Sequence, residues 1–353
     1  MKTLFYWTIR NLCKVGAKFY FRKIEINGMP QIPSDGPVIY APNHQNAFLD
    51  AILIGVFSPK PVAFFTRGDI FVQPYLWFLN ALNMLPVFRA VDGFSMAAQN
   101  DKTFDLAVQT LLNDKPLMIF PEANHDYPYT LRTLSKGTAR IAFATQSRST
   151  KPVYIVPVGL NYFRRHSPRF KLIINYGKPI PLKDYSSLYK EHKGQALSAV
   201  RKEMTNVLKS EMIIPDLDAN YEDTARIFSR KNENLTFKEL QENRQTQINN
   251  DEVLYDGLKA VVFFLSIINF VPILLSNYLV SLFKDPVFEG SMKFGVAALF
   301  CPLWYVGLFF LLGSIWNYNI STIIIAISLA LLFIRQELKR LYTDTEHVFI
   351  TKW

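Results

Sequence analysis

The stretch Ala41-Pro-Asn-His-Gln-Asn-Ala-Phe-Leu-Asp50 sets His44, one of only five histidines in the chain, six positions before an aspartate. A buried carboxylate that accepts from one imidazole nitrogen leaves the other nitrogen basic and correctly aimed. On a regular helix, side chains six apart would diverge by roughly 240°. Contact therefore requires His44 to lie outside the helix and fold back over its first turns. The flanks agree with this. The apolar run Pro37–Tyr40 predicts a strand before the histidine, and Asn46–Phe57 predicts a helix after it. His44 then occupies a strand-to-helix corner, where α/β sheets commonly place reactive groups. With no nearby Ser or Cys as nucleophile, the expected proton source is a substrate hydroxyl, which attacks an activated acyl group.

Further stretches supply companions for that pair. Leu85-Pro-Val-Phe-Arg-Ala90 ends an expected strand with Arg89, and a guanidinium is well shaped to grip phosphate through paired hydrogen bonds. Phe120-Pro-Glu-Ala-Asn-His-Asp126 ends another expected strand with an acid, Glu122, and a polar turn. Arg132 and Lys136 follow, just before Gly137, as two more cations near the same sheet edge. Ile155-Val-Pro-Val-Gly-Leu160 reads as a buried strand with a proline at its end. A tetrahedral oxyanion also needs hydrogen-bond donors, for which Asn43 and Asn46 are the side chains closest to hand.

In this order and spacing, NHQNAFLD, LPVFRA, FPEANHD and VPVGL resemble the four blocks of the glycerol-phosphate and lysophosphatidate acyltransferase family, over roughly residues 26–212. The first block has five residues between His and Asp where the family usually has four. Ala123 stands where a glycine is common, and Asn124-His125-Asp126 where the third block commonly carries an arginine. These departures resemble the branch of yeast-type glycerol-3-phosphate/dihydroxyacetone-phosphate acyltransferases and related bacterial proteins, whose members tend to carry C-terminal membrane helices. The resemblance implies His44 as general base, Asp50 as its orienting carboxylate, Arg89 as a ligand of the acceptor phosphate and Glu122 as an acid organising the substrate site. Arg132 and Lys136 join them as phosphate candidates from charge and position, and Val156-Pro157-Val158 would support the acyl-donor side. It further implies acyl-CoA or acyl carrier protein as donor, a glycerol-3-phosphate or lysophosphatidate acceptor, and no metal or redox cofactor.

The elements that must position these residues follow from patterning. Pro37–Tyr40, Val62–Thr66, Leu117–Phe120, Val153–Val158 and Leu172–Tyr176 predict strands; Asn46–Phe57 and Ser95–Leu112 predict helices between them. That alternation is the mark of an α/β fold, and the resemblance specifies an acyltransferase-type mixed sheet flanked by helices over residues 26–212. Residues 1–25 interleave six basic side chains with Leu4, Phe5, Trp7 and other apolar residues, which predicts an amphipathic helix on an anionic membrane surface. Residues 213–257 read as a solvated, polar helical linker.

Membrane segments are expected over 258–336, two or three in number, with a basic tail over 337–353. Ala260–Phe283 and Phe294–Ile334 contain no charged residue, and a spanning helix needs about 20 such residues. Ser314–Asn319 reads as the turn of a hairpin. Pro272 and Asn277 also suit a re-entrant first segment, so the span count stays open, while the catalytic domain is expected on the cytoplasmic face. Two cysteines far apart, Cys13 and Cys301, give no disulfide framework. The net charge of +10 lies beside apolar segments and no nucleic-acid motif accompanies it, so the expected partners are membrane lipid and anionic substrates. Two rival readings use the same residues. One is a metal-dependent phosphohydrolase built on His44, Asp50, Glu122, His125 and Asp126. The other is an inactive membrane scaffold on the same fold.

Overall fold

A computed structural model describes residues 2–87, 99–123, 129–217, 221–228, 230–243, 256–283 and 285–343. Arg89, His125 and Asp126 lie outside these described residues.

An eight-stranded sheet carries the fold, in the order β1-β7-β6-β2-β5-β3-β4 with β8 beside β6. The strands are β1 (Lys23–Asn27), β2 (Val38–Pro42), β3 (Ala63–Arg67), β4 (Met84–Val87), β5 (Leu117–Met118), β6 (Tyr154–Tyr162), β7 (Lys171–Tyr176) and β8 (Ile180–Pro181). The sheet is mixed: β2, β3, β4 and β5 run parallel to their neighbours, while β6 meets β7 and β8 antiparallel. Every residue of β2 and β7 is buried, as a strand covered on both faces requires, and this is why β2 and the Leu172–Ile174 centre of β7 read as apolar runs. Because β2, β3, β4 and β5 point the same way, the segments that leave them emerge at one edge of the sheet. His44 follows β2 there, and Glu122 follows β5.

Two of the sequence expectations are corrected. The N-terminal helix α1 (Lys2–Tyr20) stops short of residue 25, and Lys23–Asn27 is instead edge strand β1, paired parallel to β7. Alternating charge and apolar character in Lys-Ile-Glu-Ile-Asn suits an edge strand as well as a helix end, and β7 decides the matter. The described part of 213–257 is not a solvated linker either. Ile213, Ile214, Ala225, Ile227, Phe228 and Leu240 join the main hydrophobic core, held by short helical turns such as Phe237–Glu242 with its Thr236–Glu239 capping box.

Helix α1 buries Cys13, Ala17 and Tyr20 against the protein and leaves Leu4, Trp7, Val15 and Phe19 exposed. Its start meets the short helix α3 (Leu76–Ala81) through Phe5, whose ring centroid lies 4.8 Å from that of Trp77. Helix α2 (Ala47–Phe57) is apolar almost all round because the sheet, α1 and a C-terminal helix enclose it.

Two C-terminal helices are long and apolar enough to cross a membrane, Phe288–Ile315 and Tyr318–Leu341. They turn at Trp316–Asn317, within the expected hairpin turn. A Cβ at Gly313 would come within 2.3 Å of the Tyr318 ring, so the turn is tight only because that position is glycine. The preceding segment is bent: Ala260–Ile267 and Phe270–Ser281 meet at 106°. At 1.5 Å per residue its legs measure about 12 and 18 Å, each short of a hydrocarbon core of about 30 Å. Asn269 stabilises the bend, donating from Nδ2 to the Ser328 carbonyl at 3.1 Å and accepting from Tyr305.

Ion pairs dock the far end of the hairpin on the sheet domain. Arg340 Nη1 meets Glu233 Oε2 at 2.8 Å, and Arg169 Nε meets Glu337 Oε1 at 2.6 Å. Thus residues 337–343, expected as the start of a basic tail, continue the last helix back onto the sheet domain.

Candidate active site

The corner after β2 is built from the backbone outward. Asn43 prolongs the β2–β6 pairing: its main-chain N–H donates to Val158, its side-chain Nδ2 donates to the Leu160 carbonyl at 3.1 Å, and its Oδ1 accepts from the Leu160 N–H at 2.6 Å. Helix α2 begins only at Ala47, so His44 lies outside it. Ala47 itself takes φ +40°, in the left-handed region that costs a residue with a Cβ roughly 1–2 kcal/mol. This turn brings the helix's first carboxylate under the histidine.

Asp50 is fully buried and accepts four hydrogen bonds. Its Oδ2 takes His44 Nδ1–H at 2.9 Å, the Gln45 N–H at 2.7 Å and the Asn46 N–H at 2.8 Å; its Oδ1 takes the Tyr162 hydroxyl at 2.5 Å. A charge taken out of water needs such a complete set of donors. Burial, together with the Asp50 charge, pushes the Tyr162 phenol well above its ordinary pKa, so this hydroxyl stays a donor. An ionised carboxylate only accepts, so His44 carries its proton on Nδ1 and presents Nε2 as the basic nitrogen. The imidazole stacks on Phe120, with centroids 3.9 Å apart and 21° between planes, and keeps 15% of its side-chain surface exposed. It is oriented, shielded and reachable.

Glu122 and Arg132 clasp the main chain of the same residue. Glu122 Oε1 accepts the His44 N–H at 2.7 Å, its Oε2 accepts from Arg132 N at 3.1 Å and Nε at 2.8 Å, and Arg132 Nη2 donates to the His44 carbonyl at 3.2 Å. Glu122 was expected as an acid organising the substrate site and Arg132 as a phosphate candidate; these contacts organise the loop that carries the base. Lys136, immediately before the helix Gly137–Gln146, is half-buried, and its ammonium meets no acceptor among the described residues. Arg89 lies outside the described residues.

Asn43 and Asn46 do not offer oxyanion donors. Both are fully buried, and their amides are committed to the Leu160 and Arg165 carbonyls. Three contributors carry no sequence signal. Tyr162 sits 112 positions from Asp50. Arg165 donates from Nη1 to the Gln45 carbonyl at 3.2 Å while its guanidinium lies 4.1 Å over the Tyr129 ring. Ser291 touches the corner from 245 positions away. Among the described residues no group of three or more His, Cys, Asp or Glu side chains could hold a metal ion. All four oxygens of Asp50 and Glu122 are already accepting hydrogen bonds from the protein.

With this geometry in hand, three likenesses to known proteins can be stated. A family model described as Acyltransferase matches residues 23–161. Glycerol-3-phosphate O-acyltransferase 2 of Saccharomyces cerevisiae is 34% identical over 114 residues, which are 31% of this chain and 15% of the yeast protein. Among solved structures, the 1-acyl-sn-glycerophosphate (LPA) acyltransferase of Thermotoga maritima is 20% identical, covering 59% of this chain and 79% of that one at a TM-score of 0.43.

Proposed function

We propose, for a chain whose residues 23–161 match the Acyltransferase family model, that it transfers a fatty acyl group to the hydroxyl of a glycerol-3-phosphate or lysophosphatidate acceptor in phospholipid synthesis. The observation that carries this reading is the His44–Asp50 pair, whose carboxylate is saturated with donors and whose imidazole Nε2 is left as the base. His44 takes the proton of the acceptor hydroxyl as its oxygen bonds to the carbonyl carbon of the acyl thioester. The tetrahedral oxyanion then collapses, the C–S bond breaks, and the thiolate of coenzyme A or acyl carrier protein recovers the proton from the imidazolium. Neither a metal nor a redox cofactor enters these steps. Lys136 and Arg89 receive the acceptor phosphate, while Glu122 and Arg132 hold the histidine's backbone.

The membrane completes the reading. The acylated product is hydrophobic whichever acceptor is used, so a site held at the bilayer releases it directly into lipid. Both ends of the hairpin Phe288–Leu341 contact the sheet domain, and α1 adds basic and exposed apolar side chains beside it. We place that side in the cytoplasm, following the tendency of basic segments to remain there.

The test is transfer of labelled acyl groups from acyl-CoA and acyl carrier protein to a panel of phosphorylated acceptors, with His44→Ala beside the native chain. Transfer lost in the variant supports the assignment; transfer that survives it removes His44 as base. A chelator separates the phosphohydrolase reading, since the proposed chemistry proceeds unchanged in its presence. No transfer from either donor to any acceptor favours the inactive scaffold.

A further inference from the structure

The helix that opens the first membrane span reaches into the catalytic corner. Ser291, fully buried, donates from Oγ to the Asn46 carbonyl at 2.8 Å and accepts the Leu49 N–H at 3.0 Å. Those two main-chain groups bracket Ala47, the left-handed residue, and Asp50 follows directly. Helix α2 starts without a cap of its own: Asn46 occupies the N-cap position, but its side chain makes no capping bond and goes to the Arg165 carbonyl. The exposed N–H groups of a helix's first turn are ordinarily met by a neighbouring Ser, Thr, Asp or Asn. Here a serine 242 residues further along the chain shares one of them, the Leu49 N–H, with the Asn46 carbonyl.

The approach is close enough to constrain sequence. A Cβ at Gly290 would lie 2.1 Å from the Arg165 carbonyl oxygen and 2.7 Å from Asn46 Oδ1. Polar contacts fix the same helix on either side of this point. His166 Nδ1 pairs with Glu289 Oε2 at 3.0 Å, Lys293 Nζ donates to the His166 carbonyl at 2.8 Å, and Lys293 also pairs with Glu289. A helix serving only as an anchor would need no polar register with the sheet domain. This one is held in register at the residue where the strained corner needs support.

We propose that Ser291, seated by the close approach at Gly290, is a positioning residue for the His44–Asp50 pair: the first membrane span supplies the cap that holds the catalytic corner. The inference rests on the function proposed above. The hairpin is thereby part of the active site's framework as well as an attachment to lipid.

The test uses the full chain in lipid nanodiscs, with Ser291→Ala and, as a second variant that keeps the hydroxyl, Gly290→Ala. For both, kcat is expected to fall about tenfold through misplacement of the base, with KM for donor and acceptor within about twofold. Hydrogen exchange gives a readout independent of activity. Amides of 45–50 should exchange about tenfold faster while those of β6 keep their native rates, since the opening is local. Native kcat and native exchange at 45–50 in Ser291→Ala overturn the proposal. So does a uniform rise in exchange across β6 and the corner, which would mark general destabilisation. If the native chain transfers no acyl group, the function proposed above fails, and the exchange measurement still decides the role of Ser291.

Discussion

Asp50 is the residue on which the site's energetics turn, because it is a charge without water. Four donors surround it, and one is a side chain that can be deleted at nearly constant volume. Tyr162→Phe removes a hydrogen bond to a buried charge, so about 1.5–3 kcal/mol of stability should be lost. Denaturant unfolding measures it, and kcat should fall with it as the carboxylate loosens its hold on Nδ1. An unchanged midpoint would mean that the hydroxyl is idle. The second residue-scale prediction concerns Ala123, held at φ +64°. Glycine there relieves left-handed strain at some cost in unfolded-state entropy, for a net gain of about 0.5 kcal/mol. Ala123→Gly should raise the unfolding midpoint with kcat near native; a lower midpoint would show that the alanine methyl is packed usefully. The His44–Asp50 contact is legible in the sequence because it is local: a strand, a corner and a helix bring residues six apart together. Tyr162 and Ser291 are not legible. No period or spacing links a residue to a partner more than a hundred positions away.

At the scale of elements, the carboxyl ends of β2 and β5 each deliver a loop to the site, and the loop after β5 binds the loop after β2. Glu122 and Arg132 form that link around the backbone of His44. The two cations near it therefore diverge in expected effect. Arg132→Ala leaves Glu122, 1% exposed, without its counter-charge, a loss of about 3 kcal/mol or more. Lys136→Ala removes no hydrogen bond or ion pair with a described residue, so stability should hold while KM for a phosphorylated acceptor rises about tenfold through loss of one charge-assisted hydrogen bond. Measuring unfolding and KM on both variants checks this, and equal effects from the two would dissolve the distinction. Charge and position in the sequence put both residues on phosphate. Their separation follows from which one finds a buried carboxylate, and that is a tertiary fact. The strands are legible for the opposite reason: burial on both faces makes β2 and the greater part of β6 and β7 apolar. The edge strand β1 is half solvated, and its mixed residues read equally well as the end of a basic helix.

For the whole molecule, the contacts to the sheet domain fix how many times the C-terminal region can cross a bilayer. The Phe237 N–H donates to Glu25 Oε1 at 3.0 Å, Ser291 bonds the Asn46 carbonyl, and Arg340 pairs with Glu233. Residues 237, 291 and 340 therefore lie on the same side as the sheet domain. A segment whose two ends share one side crosses an even number of times. For 256–283, bent through 106° with legs too short to span, the expected number is zero, a segment that would dip into the lipid and return. For 288–343 it is two, with Trp316–Asn317 at the far surface. Composition leaves this open, since Ala260–Phe283 is long enough to span if straight, and only the bend at Asn269 shortens it. Single cysteines in a chain whose Cys13 and Cys301 are replaced by serine test the arrangement with a membrane-impermeant maleimide. Lys238→Cys and Asp285→Cys should label from one face and Asn317→Cys from the other. Labelling of positions 238 and 285 from opposite faces would mean that 256–283 crosses, and the sheet-domain contacts on one of its two sides could not then exist in the membrane. With both on one face, the basic side chains of α1 share it, as the orientation proposed above requires.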